Sequence, residues 1–344
     1  MRKAILASAL FCSTVLAISG CQSMSKNTVS VAYSTTQTDT LDIPKNKVMQ
    51  WSSGYNWQLS EVTRDDGQLI PIQSTNPIRL AIDPGRLHFY QGCTHDKIDL
   101  FSGAPPFSYS SYIVQLPATC TNSSADDYNI RTLFEDYGTY MFGIKLLPTT
   151  SLTTKDDTTA SPKHLALTME NGNQLIFTGT AKPLLSPPTG LPISTKLLAN
   201  YEWHLESAVA NHYDEQGKLM NREPISDFYH PDYPISFEIF GQSENSTISF
   251  GSNCNGSGAP YFLLDDNTLK VGMIISTMMG CGETGNRIET TLFNFMQESS
   301  STLTLSRQPQ LATGSTGDYP RYNLLQTMAT GETLIWKNEL KKMP

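Results

Sequence analysis

The chain has 344 residues and a formal net charge of −8. Arg2 and Lys3 stand at the extreme N-terminus, so the rest of the chain carries −10 (−8 − 2). An acidic balance of this size disfavours nucleic acid and anionic lipid surfaces as binding partners, because their charges repel it. The length suggests two domains of ordinary size.

The first 20 residues have the pattern of a bacterial lipoprotein signal peptide. Arg2 and Lys3 form a short basic region, residues 4–17 are mostly apolar, and Ile-Ser-Gly precedes Cys21. The apolar stretch is too short to span a bilayer. We predict that residues 1–20 are removed and that Cys21 carries acyl chains such as palmitate; the alternative is an ordinary secretory signal cleaved nearby. Gln22 follows in place of aspartate, which favours the outer membrane.

Two breaks in composition divide the rest of the chain. Residues 21–48 are rich in Ser, Thr, Asn and Gln with few large apolar residues, so they indicate a flexible tether. Residues 182–196 contain four prolines, which favour a semi-stiff extended linker. We therefore predict two domains, at residues 49–181 and 197–344.

The two domains are predicted to be copies of one unit. Trp57-Gln-Leu matches Trp203-His-Leu, and in each copy an alternating apolar run ends at a cysteine, Cys93 or Cys254. A helical stripe and then hairpin-like strands follow the second cysteine of each copy. The stripes are Ile130, Leu133, Phe134 and Tyr137 in the first copy and Ile288, Leu292, Phe295 and Met296 in the second. This order predicts an α+β, β-rich fold, with a curved antiparallel or barrel-like sheet and one helix in each domain.

Export to an oxidising compartment leaves four of the six cysteines, because one is removed with the signal and one is lipidated. The four form two pairs with the same spacing (120 − 93 = 281 − 254 = 27). Each cysteine follows a strand-like run, and neighbouring strand ends bring Cα atoms to the distance of about 5.5 Å that a disulfide needs. We predict the disulfides Cys93–Cys120 and Cys254–Cys281.

Two other interpretations of the cysteines stay open. The first is a pair of buried reduced thiols in each domain. The second is a soft-metal site, in which Cys254, Met278, Met279 and Cys281 would bind Cu(I). Consecutive methionines in a strand point to opposite faces, so both cannot easily face one ion. We therefore predict no metal and no cofactor.

No group of residues indicates catalysis. His95 and Asp96 are a candidate base and orienting residue, but no His-x-x-x-His or Cys-x-x-Cys pattern accompanies them, and we expect them in a turn. A Gly-x-Ser-x-Gly nucleophile elbow is absent from the sequence. Acidic doublets such as Asp65-Asp66 lie in turn-like segments, which Asp favours. We predict that the protein is not an enzyme and has no catalytic residues.

The second copy carries a set of residues with a characteristic spacing. They are Trp203-His-Leu, Asn253, Cys254, Asn255, the run Ser276-Thr277-Met278-Met279-Gly280-Cys281, Glu289 in the predicted helix and the final Leu-Ile-Trp. Over most of residues 197–340 this set resembles the META domain of HslJ-like bacterial lipoproteins. The first copy looks like a diverged META repeat, because Gly92-Cys93-Thr94 replaces the expected Cys-Asn dipeptide and the methionine pair is lost.

The resemblance implies small, exported, β-rich domains associated with heat or envelope stress, secretion and antibiotic tolerance, and no catalytic residues to carry over. We expect a non-enzymatic lipoprotein of the cell envelope, anchored in the outer membrane and facing the periplasm. It would bind an unknown envelope protein or small ligand and contribute to stress tolerance. One alternative is an inhibitor or chaperone-like protein whose inserted segment, residues 221–234, enters a partner's cleft. Another is a hydrolase with a site assembled from dispersed His and Asp.

Overall fold

The computed structural model describes residues 45–72, 74–100, 105–110, 129–147, 163–183, 190–241, 247–309 and 319–341. The described strands form two closed eight-stranded antiparallel barrels, and four α-helices lie in the same part of the chain. The predicted fold class, β-rich with two tandem barrel-like domains, is confirmed. Within the described ranges, no helix has the length and apolar character needed to cross a membrane.

The first barrel follows helix α1 (Lys45–Ser52). Its elements are β1 (Tyr55–Thr63), β2 (Leu69–Pro71), β3 (Arg79–Asp83), β4 (Arg86–Gln91), β5 (Thr94–Asp99), β6 (Phe107–Ser110), α2 (Ile130–Tyr137), β7 (Tyr140–Leu147), β8 (Lys163–Met169) and β9 (Gln174–Ala181). The strands pair in the order β1-β3-β4-β5-β6-β7-β8-β9, and β1 closes the barrel by pairing with β9. The short strand β2 pairs with the far end of β1.

The second barrel repeats this order with one long arm. Its elements are α3 (Thr195–Ala199), β10 (Tyr201–Tyr213), β11 (Leu219–Pro224), a 3₁₀ helix (Ser226–Tyr229), β12 (Ser236–Phe240), β13 (Thr247–Gly251), β14 (Ser257–Leu263), β15 (Thr268–Val271), β16 (Ile275–Ser276), α4 (Gly282–Met296), β17 (Ser300–Arg307), β18 (Tyr322–Met328) and β19 (Thr333–Leu340). The barrel order is β10-β12-β13-β14-β15-β17-β18-β19, and β10 closes it by pairing with β19. Strand β11 pairs with β10, and β16 pairs with β14.

Trp57 and Trp203 occupy equivalent positions in the two barrels. They are 2% and 0% exposed. The indole Nε1 of Trp57 donates to the carbonyl of Ser52 at 2.7 Å, and that of Trp203 donates to the carbonyl of Leu198 at 3.1 Å, five positions earlier in both cases. Each strand also has a register irregularity that starts two residues after the tryptophan. The internal repeat is therefore present in the three-dimensional structure as well as in the sequence.

The two predicted helical stripes face the barrel interiors. The buried residues are Ile130, Leu133, Phe134 and Tyr137 in α2, and Gly285, Ile288, Glu289, Leu292 and Met296 in α4. Phe295 is partly buried and packs against the second core. Full burial of one large apolar side chain contributes about 1.5–3 kcal/mol, so each helix is held to its barrel mainly by its apolar stripe.

The two barrels contact each other through the turn after β3 and the strands β14 and β15. Lys270 Nζ of the second barrel lies 2.7 Å from Asp83 Oδ1 of the first. Arg86 pairs with Asp99 in its own barrel and with Glu298 in the other. The side chain of Phe262 is buried within the first hydrophobic core, although its strand belongs to the second barrel. Charged and apolar contacts thus both join the barrels.

Candidate functional site

The motif residues of the second barrel converge on the segment between β15 and α4. We name residues 272–281 the methionine loop. Within it, β16 pairs with the start of β14, with Ser276 opposite Ser257 and Ile275 opposite Gly258. The loop therefore lies against the start of β14 and is held there near its midpoint.

A disulfide fixes the end of the methionine loop. Cys254 and Cys281 are bonded, with their Cα atoms 6.0 Å apart, which confirms this predicted pair. Because both sulfurs are in a disulfide, neither is a thiolate that could bind Cu(I). Cys93 is also disulfide-bonded. Its predicted partner, Cys120, lies outside the described residues, as does the predicted lipidation site Cys21.

Asn255 is the centre of a hydrogen-bond network that holds the loop. Its side-chain Oδ1 accepts from Met279 N at 2.7 Å and from Thr277 Oγ1 at 2.8 Å. Its Nδ2 donates to Met279 O at 3.2 Å. The hydroxyl of Thr277 in turn accepts from Gly256 N at 3.1 Å. One buried carboxamide thus binds both backbone polar groups of Met279, as a neighbouring strand would.

Glu289 completes this network from the buried face of α4. Its Oε1 accepts from Asn255 N at 2.9 Å, and its Oε2 accepts from Asn255 Nδ2 at 2.6 Å. Both residues are buried, at 8% exposure for Asn255 and 7% for Glu289. A buried carboxylate is costly unless hydrogen bonds replace its hydration, and these two N–H groups provide them. The helix and the loop are therefore held by the same pair of residues.

The tip of the methionine loop carries exposed apolar side chains. Met278 is 97% exposed, Met279 is 59% exposed and Ile275 is 60% exposed. Exposed apolar residues scattered singly are ordinary on a protein surface, but these three lie on one fixed loop. The backbone N–H and C=O of Met279 are both bonded to Asn255, so the backbone of this segment is held in one position.

The inserted segment, residues 221–234, packs against α4 and also contacts the end of the methionine loop. Tyr233 donates its hydroxyl to the carbonyl of Cys281 at 2.9 Å. Asp227 pairs with Arg287 and accepts from Thr291 Oγ1 at 2.9 Å. A Cβ at Gly285 would lie 2.7 Å from the ring of Tyr233, so the helix approaches the segment as closely as glycine permits.

Comparisons with known proteins leave the family open. No family model matches the chain, and no curated protein matches it significantly. Among solved structures, an NMR structure of a protein from Burkholderia xenovorans is similar to it, with 20% identity, a TM-score of 0.28, and coverage of 46% of this chain and 96% of that one. The META resemblance stays a prediction.

Most of the predicted motif residues lie together. Cys254, Asn255, Thr277 and Cys281 share one network, and Met278 stands at its outer edge. Asn253 precedes them in the left-handed conformation (φ 58°), which Asn adopts more readily than most residues. Glu289 belongs to the set that resembles the META domain but was not predicted as a site residue, and Tyr233 was not singled out. Glu289 has a sequence signal, because a carboxylate on the apolar face of a helix needs a partner.

A second polar cluster lies in a cavity of about 360 Å³ between the barrels, whose lining includes Asp83, His88 and Tyr90. His88 Nδ1 and His95 Nε2 are 2.8 Å apart, and Asp83 Oδ2 is 3.6 Å from His88 Nε2. The ring of His95 stacks on Tyr90 with centroids 4.5 Å apart. The expectation of a turn at His95 and Asp96 was wrong. Both lie in β5, where Asp96 is buried.

The two histidines form a head-to-head hydrogen bond. Their ring centroids are 5.1 Å apart, and the two facing nitrogens are 2.8 Å apart. The difference between these distances is about twice the distance from an imidazole centroid to a ring nitrogen, so the two nitrogens point at each other. Burial lowers the pKa of His88 and of His95, while Asp83 beside His88 and Asp96 beside His95 act in the opposite direction. Across the described part of the chain, no three His, Cys, Asp or Glu residues are grouped to hold a metal.

Proposed function

We propose that this protein is a non-enzymatic binding module of the cell envelope and that it contacts a protein partner through the methionine loop. The observation that carries the proposal is the 97% exposure of Met278 on a loop whose backbone is held by Asn255 and by a disulfide. Burial within the fold does not explain apolar residues at these positions, because they are exposed. Contact with a partner explains them, because it would bury them.

The rigidity of the loop supports this function. Binding costs free energy when a loop must be ordered, and a loop already fixed in one conformation avoids most of that cost. Methionine suits such a surface because its unbranched, polarizable side chain adapts to the shape of a partner. Ile275, Met278 and Met279 together offer a small apolar contact area with polar residues beneath it.

The proposed location follows from the N-terminal pattern. A lipid on Cys21 would hold the protein at the outer membrane, with the barrels in the periplasm at the end of the predicted tether. The Cys254–Cys281 disulfide is compatible with an oxidising compartment. A role in stress tolerance is part of the proposal and has its support in the META resemblance. Replacement of Cys21 by Ser is expected to move the protein from the membrane fraction to the soluble fraction.

The contact is tested by placing a photo-reactive amino acid at position 278 of the full chain, in cells of the organism that encodes it. We expect a discrete cross-linked product that disappears when Met279→Asp is added. The matched control is the same reagent at Met220, which is 65% exposed on a different arm of the barrel. Cross-linking of the same protein from both positions, or no product from position 278, would contradict the proposal.

Neither alternative function, the inhibitor or chaperone-like protein and the hydrolase, is supported by a comparable observation. In the inserted segment, Phe228 is 4% exposed and the hydroxyl of Tyr229 is bonded to the backbone of Ala208, so the segment supports the fold at these residues. The cavity between the barrels brings His88 near Asp83, as a hydrolase would require. Among the described residues, however, no hydroxyl or thiol hydrogen-bonds to the facing nitrogens of His88 and His95, which are bonded to each other.

A further inference from the structure

We propose that Met278 and Met279 are an oxidation site, at which conversion to methionine sulfoxide changes the tip of the methionine loop from apolar to polar. The effect on partner contact rests on the proposed function, whereas the oxidation itself does not. The relevant oxidant is a peroxide, which reaches surface thioethers without an enzyme.

The exposure of the two thioethers distinguishes them from the methionines of the two cores. Met278 is 97% exposed and Met279 is 59% exposed. The described core methionines are at most 4% exposed: Met49, Met141, Met169, Met296 and Met328. A peroxide must touch the sulfur atom, so the core methionines react only when the barrels open. Met278 requires no opening.

The fixed backbone keeps the two sulfurs available. Met279 N donates to Asn255 Oδ1 at 2.7 Å and Met279 O accepts from Asn255 Nδ2 at 3.2 Å. Two residues further on, Cys281 N donates to Asn286 Oδ1 at 3.0 Å, and its sulfur is tied to Cys254. The same bonds that present the side chains to a partner therefore prevent the loop from withdrawing them.

The chemistry is a two-electron oxygen transfer. Hydrogen peroxide gives one oxygen atom to the thioether sulfur, an S–O bond forms as the O–O bond breaks, and the peroxide leaves as water. The sulfur loses two electrons and no carbon bond is broken. The product is a polar sulfoxide that reductases can convert back, so the change is reversible.

The polar product weakens an apolar contact but leaves the fold intact. The network around Asn255 uses only the backbone of Met279, and the side chain of Met278 is almost entirely in solvent. Oxidation at these positions therefore removes no core contact. In a partner interface the sulfoxide oxygen needs a hydrogen-bond donor. If it is buried without a donor, the burial costs free energy.

The oxidation is tested on the purified disulfide-bonded protein with hydrogen peroxide, followed by peptide mass spectrometry over time. We expect sulfoxide at Met278 to form first, on the order of tenfold faster than at Met296, while the thermal unfolding transition stays unchanged. Met220, which is 65% exposed, serves as the reference for an exposed methionine outside the loop. Equal rates at Met278 and Met296 would overturn the site.

The consequence is tested with the photo-reactive amino acid at Ile275, a loop position that peroxide does not oxidise. We expect the cross-linked product to be lost after peroxide treatment and in the double variant Met278→Gln/Met279→Gln, and to persist in Met220→Gln. Selective oxidation with an unchanged product would overturn the switch and leave the proposed function standing. Absence of any product from untreated protein would instead count against the proposed function, with the oxidation site still supported.

Discussion

Asn255, in the turn between β13 and β14, and Glu289, in α4, make a two-point contact. The backbone N–H and the side-chain amide of Asn255 donate to the two carboxylate oxygens of Glu289, at 2.9 and 2.6 Å. The remaining oxygen of Asn255 binds the methionine loop through Thr277 and Met279. The position of the exposed loop is therefore set by this buried polar pair, together with the loop's own Thr277 hydroxyl and the disulfide at Cys281.

The variant Glu289→Gln is expected to lower the free energy of unfolding of the second barrel by about 1–3 kcal/mol. An amide offers only one acceptor oxygen, so one of the two donors of Asn255 loses its partner. The matched control is Glu283→Gln, an exposed glutamate in the first turn of the same helix, for which we expect about 0.5 kcal/mol or less. Guanidinium unfolding of both variants measures the difference. Equal effects would mean that the Asn255 contact contributes nothing specific.

The repeat was predictable because it is local and periodic. Trp57 and Trp203 are the third residues of matching strands, and the stripes of α2 and α4 follow from a period of 3.6 residues. Closure of each barrel, by pairing of β1 with β9 and of β10 with β19, was not predictable. These strands are far apart in the chain, and no local signal sets their register.

The two polar clusters, around Asn255 and around His88, also depend on contacts that no local sequence pattern determines. Asn255 and Glu289 are 34 positions apart, so only the resemblance to a known motif placed them in one pattern. His88 and His95 lie on adjacent strands, where Tyr90 pairs with His95, which puts the two histidines diagonally on one face. Their proximity depends on the hairpin register, whereas the sequence predicts a turn at His95 and Asp96. A histidine on each side of a short turn is the signal that was available.

Acidification is expected to destabilise the first barrel through His88 and His95. Burial lowers the pKa of both imidazoles, with Arg86 acting in the same direction and the carboxylates of Asp83 and Asp96 opposing it. The unfolded chain then binds more protons than the folded chain below the ordinary value of 6.5. Stability is thus fully present above pH 6.5 and is lost as the pH falls from there toward the lower folded values.

Other charges around the pair contribute to this dependence. Glu298, from the second barrel, raises the pKa of His88, and Lys97, on β5, lowers that of His95. Unfolding free energies measured between pH 5 and pH 8 should decline more gently in His95→Gln than in the parent protein. The control is His212→Gln, an exposed histidine on the long arm. An identical pH profile for the parent and His95→Gln would exclude the pair as the cause.

The contact between the barrels is expected to depend on the absence of a side chain at Gly272. A Cβ there would lie 2.4 Å from the carbonyl oxygen of Pro84, which is backbone of the other barrel and cannot rotate away. The variant Gly272→Ala should cost about 1–3 kcal/mol and increase hydrogen exchange around Asp83 and Lys270. Gly256→Ala is the matched control, because a Cβ at Gly256 meets nothing within 4 Å. Unchanged exchange at the contact in Gly272→Ala would show that the barrels do not need this close approach.

The disulfide is expected to stabilise the second barrel and to keep the methionine loop in place. It links residues 27 positions apart, and the chain-entropy estimate for such a loop is about 3–4 kcal/mol. The double variant Cys254→Ser/Cys281→Ser should lose about that much. It should also show faster hydrogen exchange at Met279, because hydrogen bonds such as those to Asn255 and the β16–β14 pairing would then hold the loop without a covalent link. Alkylation of the denatured parent protein without reductant should label neither Cys254 nor Cys281. Labelling of both in the parent, or an unfolding free energy that the double variant leaves within about 0.5 kcal/mol, would contradict a stabilising bridge at this position.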